Sequence, residues 1–310
     1  MQVFQLSPSE LFRRLRWPGL YLRTGPFVVH VQSDVGVLAQ GLGSLYGDFP
    51  LAETTEFADL HVSLTRPHSV RRWVRPQVNF YMDGESTVNP LPLEQAMAMF
   101  EWNLNWSLYY CAQHYLVAHA ATVEQNGFAA IMPGQPGTGK STLCAGLIHS
   151  GWRLITDEMT LIDRETSKVV PLARPVTLKN ESIRLIKKFA PEAVFGPESP
   201  NTVKGAIAHL KPPTESVLRV EEKASPRWLI FPKYQAGSPT EVLPISKATA
   251  FMELTAATLN YPFLGVEDFH FMCRIIDRLD CFQLRYSGLE EAVAWFQDLA
   301  TCEATPKSIK

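Results

Sequence analysis

Alternating hydrophobic and polar residues predict strands in the first 90 residues. Residues 60–64 and 78–82 alternate with the two-residue period of half-buried strands, and the second run ends at Asp83-Gly84, a hairpin-turn dipeptide. Residues 21–23 and 27–31 are also strand-like. The pattern predicts a small α/β domain over 1–90, in which no motif points to a particular chemistry.

The hydrophobic period changes after residue 90. Pro90 and Pro92 interrupt the chain, and apolar residues then recur at helical spacing over 93–115. We therefore expect a domain boundary near residue 90 and a second domain over 91–310. Near the end of the chain, Ser287 and Glu290 form a capping-box pattern before a packing helix. Residues 197–227 are predicted to be a long loop, either a substrate-docking lid or disordered.

A hairpin is predicted at Asn126-Gly127, the strongest two-residue hairpin signal. This turn pairs Gln125 with Phe128, and the same register, continued without a bulge, places His119 opposite Gly134. An imidazole at this position can hydrogen-bond a phosphate or an attacking group. The alternative, a histidine in the core of a buried strand, stays open.

Residues 134–141, GQPGTGKS, match the phosphate-binding (Walker A) pattern G-x-x-x-x-G-K-[ST] at every position. A short apolar run precedes them and a helical period follows them up to Gly151, which is the strand, loop and helix order that this loop needs. Lys140 would reach the β- and γ-phosphates of ATP, and the Ser141 hydroxyl would bind Mg²⁺. The expected nucleotide-binding residues are Gly134, Gln135, Pro136, Gly137, Thr138, Gly139, Lys140, Ser141 and Thr142.

An acidic pair, Asp157-Glu158, ends the next strand-like run, 17 residues after Lys140. A carboxylate at this place can accept a proton from an attacking hydroxyl or support Mg²⁺, although a strand-ending turn residue is the simpler alternative. Residues 159–162 and 168–170 then flank a polar stretch and predict an antiparallel hairpin. A doubly wound sheet would have a helix here, so the pattern argues against the commonest architectures with this loop.

Composition and charge narrow the function classes. The chain has 310 residues, 46% of them hydrophobic, and its formal net charge is −2, so it has no strong positive field for nucleic acid or anionic membranes. No window approaches the roughly 20 apolar residues that span a bilayer. Arginines within 1–18 break any secretory signal, and five scattered cysteines without a C-x-x-C pair indicate reduced thiols in a cytoplasmic protein. No cluster has zinc-site spacing.

A small basic patch stands apart from these motifs. Arg71, Arg72 and Arg75 surround Trp73, and we interpret the patch as a solvated face.

Three features taken together resemble the catalytic domain of HPr kinase/phosphorylase. They are His119, fifteen residues before the loop, the loop itself, and the acidic pair after it. Within this family, the sequence is most similar to the HPr-kinase-related kinase A group at His119-Ala120-Ala121, 133–143 and 155–158. Further similarity runs through 174–180, 209–213 and 229–234, and it covers about residues 95–300.

The resemblance implies a fold and an activity. The fold would be an α/β domain, with α+β character, shared with phosphoenolpyruvate carboxykinases. The activity would be phosphorylation by ATP and Mg²⁺, typically of a serine hydroxyl on a small protein or peptide. Asp157 would be the base, His119 a partner near the phosphates, and Ser141 with Glu158 the Mg²⁺ ligands. The family's Arg-Gly-Leu-Gly stretch, tied to substrate binding and phosphorolysis, has no counterpart in 171–182.

The leading expectation is therefore an ATP-dependent kinase that acts on a protein or peptide, with Asp157, His119 and Lys140 as its catalytic residues. Two alternatives stay open. One is a small-molecule kinase with the same loop and base, and the other is a nucleotide-gated binding protein in which ATP orders residues 197–227. We expect no nucleic-acid or membrane partner, and a homo-oligomer is compatible with the sequence.

Overall fold

The computed structural model describes residues 1–53, 57–86, 88–263 and 265–301. Within these residues the α-helices are α1 (Pro8–Arg16), α2 (Gly36–Leu45), α3 (Ala96–Cys111), α4 (Lys140–Ile148), α5 (Glu181–Phe189), α6 (Thr214–Leu218), α7 (Lys247–Ala257), α8 (Val266–Arg278) and α9 (Leu289–Thr301). The strands are β1 (Leu20–Thr24), β2 (Phe27–Ser33), β3 (Leu60–Thr65), β4 (Gln77–Met82), β5 (Leu91–Pro92), β6 (Leu116–Ala118), β7 (Ala120–Gln125), β8 (Phe128–Pro133), β9 (Arg153–Thr156), β10 (Thr160–Ile162), β11 (Val169–Val170), β12 (Val176–Lys179), β13 (Ser199–Thr202), β14 (Gly205–Leu210), β15 (Ser225–Tyr234), β16 (Glu241–Pro244) and β17 (Asp280–Tyr286). The protein is thus of the mixed α/β class, as expected.

The chain forms two compact units, and each is built from two separate segments. The first unit contains Met1–Gln113 and Ala173–Val220, and the second contains His114–Leu172 and the chain from Glu221 onward. Helix α3 therefore belongs with residues 1–90, whereas the sequence assigned it to the following domain. The change of hydrophobic period after residue 90 marks the change from strands to helix α3 and not a boundary between the two units. Each unit is defined by contacts between residues far apart in sequence, which the period does not reveal.

In the first unit, a sheet has the strand order β1-β2-β3-β4-β5, in which β2 and β3 are parallel and the other pairs are antiparallel. Helix α3 packs on α2, β3 and β4, and α1 packs on α2 and β2. The sequence explains α1 well, because Ser7 accepts a hydrogen bond from the Glu10 N–H and Pro8 occupies the first turn. The unit also contains a second sheet, which is entirely antiparallel and has the order β12-β14-β13.

The predicted long loop over 197–227 is wrong. This stretch contains β13, β14, α6 and the start of β15, and β14 lies between β12 and β13. His209, which we placed in the loop, is fully buried in β14, and Lys211 forms an ion pair of 2.8 Å with Asp48. The prolines and polar residues lie largely at the connections, and the short strands between them leave little periodic signal.

In the second unit, a mixed sheet has the order β16-β17-β15-β8-β7-β9. Strands β8, β15 and β17 are parallel, and β7 is antiparallel to both β8 and β9. Consequently β8, β9, β15 and β17 all end at the same edge of the sheet. A core cluster joins this sheet to α7 and α8 through residues such as Ile131, Leu229, Leu254 and Met272.

Two hairpin predictions in this unit are confirmed. Asn126 and Gly127 have φ of +54° and +85°, and Gln125 pairs with Phe128 as the turn chemistry predicts. Strands β10 and β11 pair antiparallel and, with β6, form the sheet β11-β10-β6. A hairpin thus stands where a doubly wound fold would have a helix.

The four described cysteines, Cys111, Cys144, Cys273 and Cys281, are free thiols, and Cys302 lies outside the described residues. Across the part of the chain that the structure describes, no helix combines the length and the apolar character needed to cross a membrane.

Candidate functional site

The loop over 134–139 connects β8 to α4 at the edge where β8, β9, β15 and β17 end. Ligands of open α/β sheets bind beyond the carboxyl ends of the strands, and a helix N-terminus favours anions through its N–H groups and dipole. Residues Ser141 and Thr142 lie in the first turn of α4. The strand, loop and helix order predicted from the motif is confirmed.

Gly139 lies in a position that requires glycine. Its φ is +93°, and a β-carbon here would overlap the hydroxyl of Tyr286. This hydroxyl donates a hydrogen bond of 3.0 Å to the Gly139 carbonyl, and the Tyr234 N–H donates one of 3.0 Å to the Thr138 carbonyl. Burial, with a smaller effect of Tyr234, raises the pKa of Tyr286, so the phenol stays protonated and remains a donor. The ends of β15 and β17 thereby fix the loop.

The Lys140 side chain lies along the inside of this loop and is only 6% exposed. Its ammonium donates hydrogen bonds to the carbonyl of Gly134 and, at 3.5 Å, to that of Gln135. It also lies 3.4 Å from Nε2 of His119. Phosphate oxygens that enter the loop would meet this ammonium, because it lies beside the loop carbonyls of Gly134 and Gln135.

His119 joins the loop to the acidic turn. It immediately precedes β7, and the last pair of the β7–β8 ladder is Ala120 with Pro133, so the register does bring His119 to the start of the loop. Its Nδ1 is 3.1 Å from the Glu158 carbonyl, which can only accept; Nδ1 therefore carries the proton, and Nε2 of the neutral ring accepts from Lys140. The predicted proximity is confirmed.

Asp157 and Glu158 follow β9 at the same edge of the sheet. Asp157 is buried, with 4% of its surface exposed, whereas Glu158 is partly exposed. Burial and then the negative charge of Asp157 raise the pKa of the Cys144 thiol in α4, an effect that requires Asp157 to lie near this helix. The structure therefore brings Asp157, His119 and Lys140 to one end of the sheet.

The expected metal ligands are oxygen donors. In the described ranges no group of three or more His, Cys, Asp or Glu side chains is arranged to hold a metal ion. Mg²⁺ in phosphoryl-transfer sites is commonly held by one or two protein oxygens, with phosphate oxygens and water completing the shell. Ser141 and Glu158, both partly exposed, fit this kind of site and not a cage built entirely from protein.

A buried ion pair joins β9 to the β7–β8 hairpin at the end of the sheet opposite the loop over 134–139. Glu124 of β7 accepts hydrogen bonds from the Arg153 guanidinium and the Gly127 N–H, and Arg153 donates a further bond of 2.9 Å to the Glu222 carbonyl. The side chains of Glu124 and Arg153 are only 3% and 5% exposed. This pair holds the start of β9 against the β7–β8 hairpin.

Sequence reasoning missed Tyr234, Tyr286, Glu124 and Arg153. Tyr286 lies 147 positions after its partner Gly139, and no local pattern signals such a contact. Lys179 and Asn180, which end the stretch 174–180 that carries part of the resemblance, belong to the first unit. There, the Asn180 side chain accepts a hydrogen bond of 3.0 Å from the Ala206 N–H and supports the junction of β12 and β14.

Comparisons with known proteins add no family. No protein-family model matches the chain, and no curated protein matches it.

Proposed function

We propose that this protein is an ATP-dependent kinase of the HPr-kinase-like type, and that it transfers the γ-phosphate to a hydroxyl, most simply a serine of a protein or peptide. One observation carries the proposal: His119 contacts both Lys140 of the loop and the acidic turn that contains Asp157. The motif alone would be compatible with many nucleotide-binding folds. Transfer to a hydroxyl needs a base beside the nucleotide, and the buried carboxylate of Asp157 lies at the same edge of the sheet as the loop.

The proposed reaction assigns a separate task to each group. Asp157 takes the proton of the acceptor hydroxyl as its oxygen bonds to the γ-phosphorus, and the bond to the β,γ-bridging oxygen breaks to release ADP. Lys140 and the N-terminus of α4 neutralise charge that develops on the phosphate oxygens. Mg²⁺, bound through Ser141 and Glu158 with the phosphates, would supply further charge neutralisation.

His119 acts as a positioning residue in this proposal. With its proton on Nδ1, its Nε2 accepts from Lys140 and holds the ammonium at the mouth of the loop. The nucleotide-gated alternative had residues 197–227 as a segment ordered by ATP, and these residues contain β13, β14, α6 and the start of β15. No observation favours a metabolite acceptor over a polypeptide.

The test compares Asp157→Asn with wild type in transfer from γ-labelled ATP and Mg²⁺ to proteins and peptides of a host lysate. The amide keeps the size of the carboxylate but cannot take the proton, so the transfer rate should fall by about 10²–10⁴-fold. Mg-ATP affinity, measured by calorimetry, should stay close to wild type, whereas Lys140→Ala should weaken it. Asp277→Asn, an exposed carboxylate of α8, is the matched control and should change neither.

Three results would contradict the assignment. Partial recovery of the Asp157→Asn rate at high Mg²⁺ would make Asp157 a metal ligand instead of the base. Near-normal transfer by this variant would remove it from the mechanism. Wild-type protein that binds ATP but yields neither ADP nor a labelled acceptor would exclude the kinase.

A further inference from the structure

The connection between β3 and β4 exposes a tryptophan among arginines. Residues 66–76, named here the Arg-Trp loop, read RPHSVRRWVRP and contain four arginines and no acidic residue. Trp73 is 73% exposed, and Val70 and Val74 are 65% and 57% exposed. Large apolar side chains grouped in this way on one short segment are uncommon on a free surface and typical of interaction sites.

The Arg-Trp loop is held at its base by Asp34. One carboxylate oxygen of Asp34 accepts a hydrogen bond of 2.8 Å from the Arg66 N–H, and the other accepts one of 3.1 Å from the Arg72 guanidinium. Ser69 accepts from the Arg71 N–H and begins a 3₁₀-helix, Val70–Arg72. The apolar side chains are therefore presented by a fixed backbone, which lowers the entropy cost of binding a partner.

Charge on the Arg-Trp loop is only partly compensated. Asp34 pairs with Arg66 and Arg72. Within the described residues, the exposed Arg71 and Arg75 side chains have no ion-pair partner. The loop thus keeps a net positive charge on a chain whose total is −2. A solvated face, as the sequence suggested, accounts for these two arginines but not for the tryptophan and the valines between them.

We propose that the Arg-Trp loop docks an acidic polypeptide segment that carries an apolar side chain. Carboxylates of the partner would pair with Arg71 and Arg75, and the apolar side chain would cover Trp73 and Val74. Tryptophan and arginine are the residues on which interface energy concentrates. A polypeptide fits better than single-stranded RNA, because aliphatic valines offer bases no stacking surface, whereas an apolar side chain of a polypeptide can pack on them.

The test uses fluorescence anisotropy, without nucleotide, on a labelled short peptide of glutamates interrupted by leucine–phenylalanine pairs. Wild type should bind this probe, and Trp73→Ala should weaken binding by about 10-fold or more. The double variant Arg71→Gln/Arg75→Gln should weaken it similarly and flatten its dependence on salt. Trp106→Ala, which removes another exposed tryptophan of the same unit, is the matched control and should bind like wild type.

Two comparison probes separate the alternatives. A glutamate-only peptide should bind more weakly than the mixed probe, and a short oligouridylate should bind more weakly still. Equal binding of all three probes, or tighter binding of the oligouridylate, would overturn the proposal in favour of unspecific or nucleic-acid binding. Absence of mixed-probe binding at about 1 mM, or binding unchanged in Trp73→Ala, would overturn it outright. Because ATP is omitted, failure of the kinase proposal would leave this result untouched.

Discussion

At the scale of single residues, two tyrosines closely approach the backbone of the loop over 134–139 and hold it. Gly139 combines a φ of +93° with contact to the Tyr286 hydroxyl, so an alanine there would meet both backbone strain and overlap. Gly151 has nearly the same φ, +96°, but open space where a β-carbon would lie. A substitution at Gly151 therefore tests backbone strain alone, whereas one at Gly139 tests backbone strain together with overlap.

We therefore expect Gly151→Ala to lower the free energy of unfolding by about 1–2 kcal/mol, the cost of left-handed backbone for a residue with a β-carbon. Gly139→Ala should lower the free energy of unfolding by about 1–3 kcal/mol more than Gly151→Ala does, because its β-carbon overlaps Tyr286. It should also weaken ATP binding, because the loop must move away from Tyr286. Urea unfolding and calorimetric ATP titration measure the two effects. Equal destabilisation by both variants would show that the Tyr286 contact is unimportant.

The residues around Gly139 also show what sequence reasoning can reach. The turn at Asn126-Gly127 fixes the β7–β8 register locally, so the position of His119 beside the loop follows by counting along two strands. Contact with Tyr286 depends on how β17 pairs in the sheet, which is set by packing between distant segments. The position of His119 could therefore be predicted from the sequence, and the contact between Gly139 and Tyr286 could not.

At the scale of elements, the Glu124–Arg153 pair joins the hairpin to β9. Both side chains are almost fully buried, so removing one charge leaves the other without its partner in a desolvated place. Glu124→Gln should lower the free energy of unfolding by about 3–5 kcal/mol. The exposed pair of Arg184 with Glu181, in α5, provides the control, since Arg184→Gln should cost less than about 1 kcal/mol. Chemical denaturation monitored by tryptophan fluorescence compares them.

An equally small loss of stability for Glu124→Gln would mean that the hairpin and β9 are held together by backbone pairing alone.

Elements with strong local signals, such as α4, β8 and the β10–β11 hairpin, were predictable because periodicity and turn residues define them. The short strands β13 and β14 were not, because a few residues between polar connections give too little pattern. Their stability comes from pairing with β12.

At the scale of the whole molecule, each compact unit is assembled from two separate segments of the chain. In the first unit, Arg174 donates hydrogen bonds to Glu101 and Asn105, and Tyr46 donates one of 2.6 Å to Glu101. Burial first, and then the charge of Glu101, raise the pKa of Tyr46 well above its ordinary value, so its hydroxyl remains a donor. This buried network connects α2, α3 and the returning segment that begins at Ala173.

These contacts predict the behaviour of a fragment that starts at residue 91, where the sequence suggested a domain boundary. Such a fragment lacks β1–β4 and Tyr46, so the buried face of α3, including Met97, Phe100, Leu104 and Leu108, would be exposed. Each of these side chains contributes about 1.5–3 kcal/mol through burial. We expect residues 91–113 and 173–220 of the fragment to be cleaved rapidly in limited proteolysis, whereas the full chain is protected there. Protection equal to that of the full chain would mean that residues 91–310 form an independent domain, with the boundary near 90 that the hydrophobic pattern indicates.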